Sequence, residues 1–160
     1  MNALDSLKVG LDMADFVCQS YLKDLSDADL MTRPHSACNH INWQIGHLVL
    51  SENEMMSAIA PQAMPSLPAG FAEKYSRETQ GSDDASKFCT KAELLAAFAA
   101  QRAATIQVMQ SLTDGDLDKP TGIDYAPTIV SLLSIQGAHW LMHCGQWVVV
   151  RRMLNKPVVI

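Results

Sequence analysis

The sequence predicts an all-α protein: a four-helix bundle with a long connection between its second and third helices. Three observations carry that expectation. Four long stretches, 3–24, 38–60, 91–111 and 128–155, repeat apolar side chains at three- to four-residue steps. These stretches open on capping residues or close on prolines and asparagine. A corner phrase also occurs twice, 87 residues apart: Leu25-Ser26-Asp27-Ala28-Asp29-Leu30 and Leu112-Thr113-Asp114-Gly115-Asp116-Leu117. Each phrase ends at a basic residue and proline, Arg33-Pro34 and Lys119-Pro120, and each joins two helical stretches. The chain therefore reads as two copies of helix–corner–helix, a pseudo-symmetric arrangement.

The first stretch buries Leu4, Leu7, Leu11, Ala14, Cys18, Tyr21 and Leu22, and turns Asp5, Lys8, Asp12 and Asp15 outward. In the second, with Ser36 or Asn39 as its cap, one stripe is unusually polar: His40, Gln44, His47, Ser51 and Glu54. Trp43 supplies apolar body beside it and lines the same region. His40 lies about 10 Å from His47 along the axis, at 1.5 Å per residue, too far to share an ion. It is expected at the helix start or in a pocket wall. The connection 61–89 holds Pro61, Pro65, Pro68, Gly70 and Gly81 and is longer than most. It is expected to carry a short helix near Gly70–Tyr75, to cover one end of the bundle and to shape a substrate pocket. The third helix opens on the capping box Thr90-x-x-Glu93 and carries no metal ligand. Thr121–Pro127 reads as a loop, and the last helix ends at Asn155, which tolerates the left-handed conformation.

Composition narrows the function. The chain has 160 residues, enough for one well-buried domain, 1–160. Its net charge of -5 argues against nucleic acid as a partner, and the one tight basic pair, Arg151-Arg152, suits a helix C-terminus. There is no secretory signal and no apolar run long enough to span a membrane. Cys18, Cys38, Cys89 and Cys144 are widely spaced and read as reduced thiols, which gives a cytoplasmic expectation.

Chemistry concentrates in three histidines. His139 and His143 stand four residues apart, hence on one helix face, and His47 holds a near-equivalent place in the first repeat. Three neutral imidazoles suit Zn²⁺, Ni²⁺ or Fe²⁺ and leave coordination positions open, as catalytic sites do. Gln136 and Gln146 flank the pair at -3 and +3 and are candidates to orient the rings; Cys144 reads as a packing thiol. A di-iron or haemerythrin-like centre is disfavoured, since it needs carboxylates or Glu-x-x-His pairs on facing helices. Glu54 lies about two turns from His47 and Glu52 off its face, so no general base is assigned.

Asn42-Trp43-Gln44-Ile45-Gly46-His47-Leu48, His139-x-x-x-His143-x-Gly145-Gln146 and Arg151-Arg152-x-Leu154-Asn155-Lys156-Pro157, with the two corners, resemble the DinB-like (DinB/YfiT-type) superfamily over essentially the whole chain. Asn155 departs from the glycine expected there. The resemblance implies a four-helix bundle, a divalent metal on His47, His139 and His143, and often a homodimer. It also implies action on a small-molecule substrate, either as a transferase that uses a low-molecular-weight thiol or as a hydrolase. The alternative is a non-catalytic metal or small-molecule binding dimer, for example a stress-response module.

Overall fold

The computed structural model describes residues 2–159. The chain is mostly helical, with one small two-stranded sheet. Four long helices carry it: α1 (Ala3–Leu22), α3 (Ile41–Ser57), α5 (Lys91–Ser111) and α6 (Ile129–Met153). Two single-turn helices, α2 (Asp27–Leu30) and α4 (Phe71–Lys74), lie in the connections. Among the described residues no helix is long and apolar enough to cross a membrane.

Local chemistry explains the boundaries. Asn2 with Asp5, Ser26 with Asp29 and Thr90 with Glu93 form reciprocal capping boxes at the starts of α1, α2 and α5. The second corner repeats the device with Thr113 and Asp116 around a short 3-10 turn, Asp114–Asp116. Asn155 has φ 54°, and Lys156 N–H donates to the Arg151 carbonyl at 2.8 Å, closing a Schellman motif as the sequence predicts. Two expectations change. The second helix starts at Ile41 rather than at residue 38, and its cap is His40, not Ser36 or Asn39: His40 Nδ1 accepts from Trp43 N–H at 3.0 Å. Thr121–Pro127 is not a plain loop but the core of an antiparallel hairpin, β1 (Pro120–Ile123) and β2 (Ala126–Thr128), with Gly122 at φ 79°.

Sequence periodicity leaves the helix order open; side-chain pairs define it. α1 and α6 run parallel, since Gly10 meets Gly137, Cys18 meets Cys144 and Tyr21 meets Arg151. α3 and α5 also run parallel, through Asn42 with Cys89 and Glu52 with Thr105. α1 opposes α5 through Asp15 and Arg102, and α3 opposes α6 through Gln44 with Trp147 and Glu52 with Trp140. The parallel α3–α5 pair accounts for the long connection. The chain must return the full length of α3, about 25 Å for its 17 residues, before α5 can begin. That return is pinned to α3 throughout: Trp43 Nε1 donates to Ser76 O, Asn42 accepts from Tyr75 OH, and Asn53 donates to Pro65 O. Arg33 holds its far side through Asp83 and the carbonyls of Gln80 and Ser82. Gly46 lets the Tyr75 ring seat on α3, because a Cβ there would stand 2.2 Å from the ring.

Two apolar clusters fill the interior, one around Trp147, Leu22 and Phe98 and one around Met56, Leu11 and Leu132. Between them lies a buried polar layer. Arg102 sits between Asp15 (3.0 Å) and Glu52 (3.2 Å), and Glu52 also accepts from Thr105 Oγ1 (2.7 Å) and Trp140 Nε1 (3.0 Å). Arg151 does more than sit at a helix C-terminus. It is fully buried, donates to the Tyr21 carbonyl and Asp24, and fastens the end of α6 to the end of α1.

Arg102→Ala leaves two carboxylates facing each other without a cation and is expected to lower unfolding free energy by about 3–5 kcal/mol, read by urea titration. Gly46→Ala is expected to lower it by about 1–3 kcal/mol through the Tyr75 clash. A third expectation concerns pH. Burial, with the nearby Arg33 charge, lowers the His40 pKa from 6.5 to about 4. Unfolded chains therefore take up a proton between pH 6.5 and 4 that folded chains refuse, so this contribution to stability is full above 6.5 and is lost toward pH 4. His40→Asn keeps a capping side chain and should flatten the stability–pH slope in that window.

Candidate metal centre

α3 and α6 bring the three predicted histidines together. One nitrogen from each of His47, His139 and His143 lies within 4.8 Å of the others. Ring centroids are 5.4 Å apart for His47–His139, 5.9 Å for His47–His143 and 5.1 Å for His139–His143. Nitrogens on one tetrahedral ion stand about 3.3 Å apart for bonds of ~2.0–2.1 Å, so the cluster needs only small side-chain rotations to close. His143 is buried, and His47 and His139 are half-buried.

The protonation states suit ligation. Burial pushes the pKa of all three down; the Arg77 charge adds to this at His47, and the neighbouring imidazoles add to it at His139 and His143. His143 falls to about 4. Its tautomer follows from Gln44. Gln44 Nε2 donates to the Asn39 carbonyl at 2.7 Å, which turns Oε1 toward α6. Oε1 accepts from Trp147 Nε1, a group that can only donate, at 2.8 Å, and faces His143 Nδ1 at 2.9 Å. Nδ1 therefore carries the proton and Nε2 keeps its lone pair. Trp43 stacks on His47 at 5.1 Å with the planes 9° apart, which limits that ring's rotation.

The other candidates separate. Gln44 and Trp43 hold the histidines. His40 caps α3 and also contacts the Ser82 carbonyl through Nε2, away from the cluster. Gln136 is buried but donates to the Leu132 carbonyl rather than to a ring, and Gln146 is exposed. Neither orients an imidazole. Cys144 packs against α1 as expected. His47 and His139 open on a cleft of about 610 Å³ that is also lined by Ser51, Met55, Tyr125, Ile135, Ala138 and Met142, with the buried His143 behind them. The expected pocket wall 61–89 contributes none of these; the hairpin supplies Tyr125 instead. Sequence reasoning also missed Glu52 as the anchor beneath the site, although a carboxylate three residues before Met55-Met56 on an apolar helix was a usable sign.

A mostly helical protein with three convergent imidazoles, two of them lining an open cleft, defines a class with a candidate metal centre. Residues 17–147 match the DinB superfamily, and the chain belongs to it. A crystal structure of a conserved protein from Enterococcus faecalis is similar in fold, with a TM-score of 0.76 and 20% identity over 98% of this chain and 99% of that one. No curated protein matches.

In metal-free protein, ¹⁵N shifts are expected to report His143 as the Nδ1–H tautomer. Gln44→Leu should return it to the Nε2–H mixture of a free imidazole; an Nε2–H form in the parent chain would contradict the assignment.

Proposed function

We propose that His47, His139 and His143 hold one divalent metal ion, Zn²⁺, Ni²⁺ or Fe²⁺, within a four-helix bundle, and that a small molecule reacts in the adjoining cleft. The observation that carries this reading is the Gln44–His143 bond, which leaves a neutral nitrogen facing two others within ligand reach. The donor set, three imidazoles with no carboxylate, suits these ions better than Mg²⁺ or Ca²⁺. A bound ion there supplies Lewis acidity, which lowers the pKa of a water or thiol and yields a nucleophile at neutral pH. The chain's part is to position. Gln44 fixes the His143 proton at Nδ1, Trp43 steadies His47, and Met55, Ile135 and Met142 give the cleft an apolar side. Ser51 and Tyr125 offer hydroxyls to a substrate.

The reaction class that fits is transfer to or from a low-molecular-weight thiol, or hydrolysis. One observation favours a second reading, a binding module without turnover. Among the described residues no carboxylate lines the cleft, and Glu52 is turned to Arg102, Thr105 and Trp140. Self-association into a homodimer is also proposed. Val9, Met13 and Phe16 expose one apolar face of α1 beside a groove of about 750 Å³ between α1 and α5, a face that a second copy would cover.

Elemental analysis after reconstitution is expected to give about one metal per chain, and less than about a tenth in His143→Ala. Gln44→Leu should weaken affinity by about 10–100-fold without removing a ligand. Turnover of electrophiles by the metal-loaded chain, with and without added thiol, separates transferase from hydrolase; stoichiometric metal without turnover supports the binding module. Sedimentation of Phe16→Asp tests the dimer: a shift to monomer is expected.

A further inference from the structure

Cys18 on α1 and Cys144 on α6 face each other with their sulfurs 3.2 Å apart, and both are buried. Their register is held on both sides. One side is the close approach of Gly137, whose Cβ would stand 3.3 Å from the Gly10 carbonyl oxygen. The other is Arg151, bound to the Tyr21 carbonyl and Asp24. A disulfide needs 2.03–2.05 Å, so closure requires a relative movement of about 1.2 Å, within reach of side-chain rotation. Cys38 and Cys89 have no such partner: the sulfur of Cys89 lies 3.9 Å from Lys74 Nζ, and Cys38 is half-buried in the corner before α3.

We propose that Cys18 and Cys144 form a redox-active dithiol that hydrogen peroxide converts to a disulfide joining α1 to α6. One thiol gives up its proton as its sulfur attacks a peroxide oxygen; the O–O bond breaks, leaving a sulfenic acid, and the departing hydroxide takes that proton to become water. The second sulfur attacks the sulfenic sulfur, the S–S bond forms, the S–O bond breaks, and a second water leaves with the remaining thiol proton. Two sulfurs lose two electrons and one peroxide gains them. Burial selects a water-sized oxidant, because a bulky disulfide such as oxidised glutathione cannot enter this seam. Cys144 directly follows His143, so the new bond fastens the turn of α6 that carries His139 and His143 to α1.

The test is peptide mapping of the folded full-length chain after peroxide treatment, thiol alkylation and digestion without reductant. A loss of about 2 Da in one peptide joining Cys18 to Cys144 is expected, with neither residue alkylated. The melting temperature should rise on the order of 10 °C, because the bond closes a loop of more than 100 residues, and a reductant should reverse the rise. Cys18→Ala and Cys144→Ala should each abolish the linked peptide and the rise. Separate recovery of Cys18 and Cys144 as alkylated or over-oxidised peptides would overturn the proposal, as would formation of the same linkage with oxidised glutathione but not with peroxide.

Discussion

A single buried guanidinium, that of Arg102, ties the four long helices to one another. It pairs with Asp15 of α1 and Glu52 of α3, donates to the Gln136 carbonyl of α6, and lies over the rings of Phe98 and Trp140. Taking one cation and two carboxylates out of water is costly, and the attraction between them offsets that cost only in good geometry. Burial raises the pKa of both acids even with the cation beside them. Such a layer adds little net stability over an apolar one but penalises any slip of one helix past another, because a slip strands a charge. Helix register is what a site assembled from two helices depends on.

Glu52 transmits that register to the histidines. Its carboxylate accepts from Trp140, the residue after His139, and it sits five residues after His47 on α3. At the other end of the same two helices Gln44 bridges to His143 and Trp147. Gln44 and Glu52 of α3 thus clasp α6 on either side of the three imidazoles. Among the described residues no acidic group lines the cleft; methionines, Ile135 and Tyr125 make a mostly apolar wall with few polar handles.

Much of this was legible from residue order, and the limits have physical causes. The four helices were readable because their signals are local: apolar spacing, capping boxes and a left-handed asparagine. The histidines were readable because two share a face and the third sits on the matching helix of a repeat. Gln44 stood in the polar stripe, but its role depends on a partner 99 residues away. The partners of Glu52 and Arg151 were out of reach for the same reason, since a bond between distant residues leaves no local signal. Gln146 failed in the opposite direction, sharing the sequence neighbourhood of His143 while facing solvent. The hairpin was missed because strands of four and three residues are too short for alternation to register, and each contains a proline. Helix order required pairings between distant residues, and only that order explains why the connection between α3 and α5 is long.

The most direct measurement is a crystal structure of metal-reconstituted protein with anomalous diffraction at the metal's absorption edge. One anomalous peak per chain is expected, bonded to His143 Nε2 and to one nitrogen each of His47 and His139, with Gln44 Oε1 still at His143 Nδ1 and at least one coordination position facing the cleft. A peak elsewhere, or His143 bound through Nδ1 with Gln44 turned away, would contradict that expectation.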